Sequence, residues 1–299
     1  MSQPEASAVR TRRAFVGRAF PALTRPTALW VGVGVLVAIL LLGFLMPIIT
    51  GYGVDAFVAS AYEAPSLSHP FGTDGFGRDV MVRTFAAARI DYLVGAVTVI
   101  FCAVVGTAVG ALCTASGRPS LEWILSRVTD AVISFPFVVL VLALVVVFGD
   151  SLSVPGLPDG LPPLLAAIAL TGWAYYARLG RAETLALRDR DFVVAARLMG
   201  YSSTRIVLRH IFPAVLMTSL AYSVGDAIVT VSLTASLSFL GAGVQPPTPE
   251  WGQMMYEGRD VVESAWWITA FPAILLVISG LALAVIADGA IARLRGRSY

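Results

Sequence analysis

Residues 26–54 read PTALWVGVGVLVAILLLGFLMPIITGYGV, and no charged side chain interrupts them. A helix needs about 20 mostly apolar residues to cross a hydrocarbon core, so this stretch places the chain in a membrane. Signal-sequence hydrophobic cores reach only about 7–15 residues; this run is longer and reads as a retained anchor. Working outward, five further runs follow: residues 92–117, 131–149, 160–177, one from about 211 interrupted by Asp226, and 264–287. The third extends upstream into LEWILSRVTD, and Pro136 and Pro272 read as kinks in the third and sixth. The expectation is an all-α integral membrane protein with six transmembrane helices.

Composition agrees. Of 299 residues, 57% are apolar and only 13% charged, against roughly 25% charged in an average soluble domain. A soluble surface is excluded, and so is disorder, which needs low hydrophobicity. All 21 basic residues are arginine. Without lysine the chain has neither the P-loop cation that ATPases place on the phosphates nor a Schiff-base nucleophile. A net charge of +2 excludes nucleic acid as the partner. Cys102 and Cys113 on one helix would stand roughly 16 Å apart, too far for a disulfide, and read as small buried hydrophobes. His69 and His210 lack zinc-ligand neighbours. Asp74 and Asp79 in GTDGFGRD offer too few oxygens for a calcium loop, so no metal site is expected.

Arginine placement sets the orientation. Arg10, Arg12, Arg13, Arg18 and Arg25 precede the first run. Arg118 and Arg127 follow the second. Seven arginines from Arg178 to Arg209 lie between the fourth and fifth, and Arg293, Arg295 and Arg297 close the chain. With six spans all four segments fall on one side, the cytoplasm, with both termini. The opposite loops are arginine-poor or, between residues 55 and 91, richer in acids.

The segment between the fourth and fifth runs, GRAETLALRDRDFVVAARLMGYSSTRIVLRHIFPAV, is too polar to cross and too long for a connector, which needs only about 2–8 residues. Phe192, Ala195, Ala196 and Met199 recur at helical spacing. Gly200 stands where a helix-ending residue needs positive φ, and Ser202 or Ser203 is placed to N-cap a second helix near Thr204. Pro213 follows at the membrane. A short helix, a reversal and a second helix are expected, either lying on lipid or offering Ala195 and Ala196 to another protein.

VAARLMGYSSTRIVLRHIFP resembles the EAA loop of binding-protein-dependent ABC importer permeases. Ala195, Ala196, Gly200 and Pro213 match its pattern at the family's spacing; Val194 replaces its glutamate, His210 its isoleucine and Phe212 its leucine. HPFGTDGFGRDVMVRTFAAARI (residues 69–90), SLSFLGAGVQPPTPEWGQMM (residues 236–255) and AWWITAFPAILLVISGLALAVIADGAIARL (residues 265–294) resemble the C-type permease subunit of the dipeptide, oligopeptide and nickel importers.

The resemblance implies a type I importer permease fold in a bacterial cytoplasmic membrane. It implies a homologous second permease, two ABC ATPase subunits that hold ATP and Mg, an extracytoplasmic solute-binding protein, and no cofactor or catalysis on this chain. Short peptides are the implied solute; a nickel complex, or a stand-alone secondary transporter, is the alternative. Residues 1–27 and 289–299 would be basic cytoplasmic segments around a permease domain, 28–288. Its coupling helix, about 191–205, would engage the ATPase through Ala195, Ala196, Gly200, Ser202, Arg205 and Pro213.

Two further groups stand out. Asp226 lies about fifteen residues into the fifth span, an expensive depth for an acid. It either faces the pathway and meets a peptide's amino terminus, or pairs between helices, for instance with Arg89. Ser223 and Thr230 belong with it in a run of eight hydroxyls between Thr218 and Ser238, which either lines a path or glues helices together. QPPTPEWG (residues 245–252) cannot be a plain helix. Pro246, Pro247, Glu250 and Trp251 are expected to order the external mouth.

Overall fold

The computed structural model describes residues 26–149 and 151–296. The expectations for residues 1–25 and 297–299 lie outside them. The first run forms α1 (Pro26–Thr50). The second forms α2 (Val80–Phe101), which passes through a π-turn (Cys102–Gly106) into α3 (Thr107–Ala115). Residues 161–187 form α6 (Leu161–Leu187). The polar segment gives α7 (Asp191–Leu198) and α8 (Ser203–Ile206), and α8 runs through a second π-turn (Val207–Ile211) into α9 (Phe212–Phe239). After the proline-rich loop come α10 (Trp251–Gly258) and α11 (Trp267–Gly296).

Pro213 explains the second π-turn. It has no N–H, and its ring crowds the carbonyl four residues back. The helix widens just before it, and the Phe212 N–H reaches back five residues to Val207 O. Pro272, by contrast, sits inside an unbroken α11.

Pro136 corrects the sequence reading. It does not kink one helix. Phe135 and Pro136 leave the helical region, and α4 (Pro119–Ser134) meets α5 (Phe137–Phe148) at 92°. Twelve residues span only about 18 Å, short of a hydrocarbon core of roughly 30 Å. Among the described residues, four helices are long and apolar enough to cross: Ala28–Thr50, Val80–Ala115, Thr204–Phe239 and Trp267–Ala290. Counted as one broken span, the bent pair α4–α5 brings the number to five. α6 has 27 residues, but its second half carries Arg178, Arg181 and Glu183.

α9 is the hub, packing against α2, α6, α10 and α11. One core joins Ile39, Ala87, Trp251, Trp267 and Leu275; a second joins Val94, Val141, Leu164 and Leu237. α3 crosses α6 at backbone contact. Gly106 and Gly110 form a small-xxx-small pattern, and a Cβ on either would run into the Trp173 or Ala177 carbonyl. From the other side, a Cβ on Gly180 would stand 2.8 Å from Thr107 O. Glycine at these positions lets two backbones touch, the main source of helix attraction where lipid is as apolar as leucine.

Candidate functional site

Three places carry the expected site residues. At the polar reversal, α7 ends in a Schellman motif. Gly200 has φ +79°, its N–H donates to Arg197 O at 3.0 Å, and Tyr201 N–H donates to Ala196 O at 3.2 Å. Ser202 caps the next helix, its Oγ accepting from Arg205 N–H at 3.4 Å. The Arg205 guanidinium lies 4.4 Å from the Tyr201 ring centroid, in cation–π range. Pro213 opens α9 and is exposed.

The two alanines separate. Ala196 is 1% exposed and packs with Val193, Ile206, Val207, Ile211 and Val215. It does not face outward, as the shared stripe with Ala195 suggested; it fastens α7 to the base of α9. Ala195 is exposed, beside Phe192 and Met199 on the opposite face, and Leu198 is 84% exposed. Helical spacing explains the split: positions 192, 195 and 199 share a face, while 193 and 196 share the other.

Half-way along α9, a cavity of about 310 Å³ opens between α2, the start of α5, α6 and α9. Asp226 and Thr230 line it with Thr98, Phe137, Tyr175 and Tyr222. Tyr176 on α6 donates its hydroxyl to Asp226 Oδ2 at 2.9 Å. Arg89 is not the partner: its Nε donates to Ala86 O, and its guanidinium lies over Phe44. Ser223 does not line the cavity; its hydroxyl returns to Leu220 O at 2.7 Å. Thr218, Thr234 and Ser236 return theirs to carbonyls four residues earlier, and Ser219 accepts from Thr107 at 2.7 Å. The hydroxyl run is mostly helix packing, and Thr230 is its member on the cavity wall.

At the outer end, residues 51–79 and 243–266 close into one polar clasp. Asp79 N-caps α2 through Met81 and Val82 N–H, and its Oδ2 accepts from Tyr52 at 2.7 Å and meets His69 Nδ1 at 2.8 Å. Burial and the bond to Asp79 push the Tyr52 hydroxyl up to about 12. Asp74 accepts from Phe76 and Arg78 N–H and pairs with Arg78 Nε at 2.6 Å. Both acids of GTDGFGRD are thus committed to caps and arginine.

Arg83, 1% exposed, ties three segments together. Its guanidinium reaches Asp55 at 2.6 Å, Asp74 at 3.6 Å and the Pro247 carbonyl at 3.1 Å. Pro246 and Pro247 are exposed at the mouth, but Glu250 and Trp251 are fully buried beneath it. Glu250 caps α10 through Gly252 and Gln253 N–H at 2.9 and 2.8 Å. Burial pushes its carboxyl above the ordinary range, against those amide hydrogen bonds. Trp251 donates Nε1–H to Thr84 O at 2.9 Å and its N–H to Asp91 Oδ2 at 3.2 Å. Glu250 and Trp251 therefore order the mouth from below and present no surface to a docking protein.

Sequence reading missed Arg83 and the cavity tyrosines. It also missed the Gly106/Gly110 pattern, which was available as glycines four apart in an apolar run.

Among the described residues the helices form a bundle with a polar clasp at one end, a cavity half-way along α9 and a capped reversal at the other end. Residues 104–297 match the family described as binding-protein-dependent transport system inner membrane component. The chain is 36% identical over 274 residues to a peptide transport system permease protein of Brucella suis, covering 89% of this chain and 87% of that one. It is 31% identical over 275 residues to dipeptide transport system permease protein DppC of Alkalihalophilus pseudofirmus, covering 91% and 86%. It is 35% identical over 233 residues to glutathione transport system permease protein GsiD of Escherichia coli, covering 76% and 72%.

The fold matches a chain of the MetNI methionine ABC transporter in inward-facing conformations. The TM-score is 0.57 at 22% identity, over 72% of this chain and 97% of that one. The chain belongs to the binding-protein-dependent ABC importer permeases, multi-pass proteins of the bacterial inner membrane that work with other transporter subunits.

Proposed function

We propose that this chain is one of two permease subunits of an ATP-driven importer of short peptides. In this reading residues 28–288 form the membrane domain, crossing six times. Segments 1–27 and 289–299 lie in the cytoplasm, and α6 and the bent pair α4–α5 supply the crossings beyond the four long apolar helices. Two ATPase subunits hold ATP and Mg, and a solute-binding protein delivers the peptide to the outer mouth. No cofactor belongs to this chain.

The observation that carries coupling is the outward face of α7. Phe192, Ala195, Leu198 and Met199 leave an apolar strip uncovered, while Val193 and Ala196 anchor the same helix to α9. A strip of this kind suits an apolar groove on an ATPase subunit, read as helix anchors at i, i+3 and i+7. ATP-driven closure then pulls on α7. Motion passes through Ile206, Val207 and Ile211 into α9, which carries Asp226 and Thr230 along the path. Relatives named for peptide, dipeptide and glutathione transport support peptides as solute.

Two tests follow. Reporter fusions after Arg188 should read cytoplasm and those after Glu257 outside; the reverse at Arg188 rejects the topology. The complex purified through this chain should retain a second permease and two ATPase subunits. In proteoliposomes it should take up a labelled dipeptide only with binding protein and ATP. Uptake without ATP, or purification of this chain alone, rejects the coupled-importer reading.

A further inference from the structure

We propose that the Asp226 cavity is a way-station for the protonated amino terminus of a passing peptide, held by the Asp226 carboxylate and the faces of the surrounding aromatic rings. The inference rests on the peptide-import reading and deepens it by naming the group recognised inside the membrane.

Charge selects the ligand class. Of the residues that line the cavity, Asp226 is the charged one and none is basic. An anionic group would meet a carboxylate of its own sign, and a neutral apolar one would leave that charge without a counter-ion at a depth where this is costly. A cation is what the wall lacks. Asp226 already accepts the Tyr176 hydroxyl at 2.9 Å, yet a carboxylate has room for about four hydrogen bonds. An ammonium brings three donors in a compact head.

The rings narrow the class further. Phe137 and Tyr175 meet edge to face with centroids 5.8 Å apart, and Tyr176 and Tyr222 do so at 5.7 Å. Two aromatic pairs thus flank one acid, the composition that binds organic ammonium groups through ring faces. A hard metal ion would need about six oxygens, and one carboxylate among tyrosines does not supply them.

Position fits passage rather than storage. Asp226 is half-way along α9, the helix that α7 moves, while Phe137 opens α5 and Tyr175 sits on α6. Cys102, the first residue of the π-turn that joins α2 to α3, lies on the same wall. Four helices that slide against one another would open and close the cage, so the ammonium is held in one arrangement and released in the next.

The test uses the whole transporter in proteoliposomes with its binding protein. It compares uptake of a free-amine dipeptide with the same dipeptide N-acetylated, for wild type and Asp226→Asn. The binding protein is common to both, so its own preference cancels in the double ratio. A structural role for Asp226 lowers both uptakes and leaves that ratio alone. The free-amine preference should fall about tenfold in Asp226→Asn, equal to about 1.4 kcal/mol, and persist in Asp226→Glu. A fall of less than about threefold overturns the inference while leaving peptide import intact. If wild type imports neither peptide, the import reading fails and this inference falls with it. Should Asp226→Asn not assemble, Tyr175→Leu and Tyr222→Leu decide by the same ratio, since both side chains are partly exposed to the cavity.

Discussion

Ala195→Trp should abolish ATP-driven uptake while the permease still inserts and pairs. Ala195 is exposed on the free face of α7 between Phe192 and Met199, so an indole there displaces nothing within this chain. It would hold any ATPase surface away from the strip, and the ATPase subunits should be lost on purification. Ala196→Trp, one residue on, should behave differently. Ala196 is 1% exposed among Val193, Ile206, Val207 and Ile211, and overpacking a filled core costs about 1–3 kcal/mol. That variant should lose yield before it loses coupling.

Gly200→Val separates the same effects through the backbone. No atom lies within 4 Å of a Cβ built there, so the cost is the left-handed conformation alone, on the order of 1–3 kcal/mol. It falls on the reversal that aims α7. Uptake and ATPase retention should drop with insertion unchanged. Ala195→Trp with full uptake and full ATPase retention would remove the docking role assigned to α7.

Gly110→Val should prevent assembly of the bundle. The added Cβ would clash with the Ala177 carbonyl, a backbone group that cannot rotate aside. α3 and α6 would have to part along the contact that also uses Gly106 and Gly180. Lost packing between helices has no hydrophobic replacement in lipid. Monodisperse complex recovered by size-exclusion chromatography should fall to about a tenth or less, the yield expected from about 1.4 kcal/mol or more. Gly34→Val is the control, because a Cβ at Gly34 meets no atom within 4 Å and yield should hold. Equal yields from Gly110→Val and Gly34→Val would show that the crossing does not set stability.

The class of fold was legible because transmembrane helices announce themselves in apolar run length, and the reversal because Gly200 and Ser202 are local signals that act within one turn. What hid was everything decided across helices. Pro136 looks the same in sequence whether it kinks or breaks a span; the 92° turn depends on where α4 and α5 pack. Ala195 and Ala196 are chemically identical, and only the docking of α7 on α9 decides which one faces out. The hydroxyls of α9 read as a lining because eight recur, yet Thr218, Ser223, Thr234 and Ser236 satisfy themselves on their own helix. Asp226 was visible as an anomaly, but its partner Tyr176 lies fifty residues away on α6, beyond any local pattern. Glu250 and Trp251 were singled out with the mouth, although burial makes them its foundation.

The Arg83 clasp sets an order on biogenesis. Its guanidinium and the nearby Asp91 leave the ribosome about 160 residues ahead of Pro247 and Trp251, which complete them. Until α9 and α10 have been inserted, the nascent chain carries a cation and an acid that the finished protein buries. The outer face therefore cannot mature from its own N-terminal half. A chain that stalls or is truncated before residue 247 lacks the Pro247 carbonyl and the Trp251 N–H that complete this polar seam.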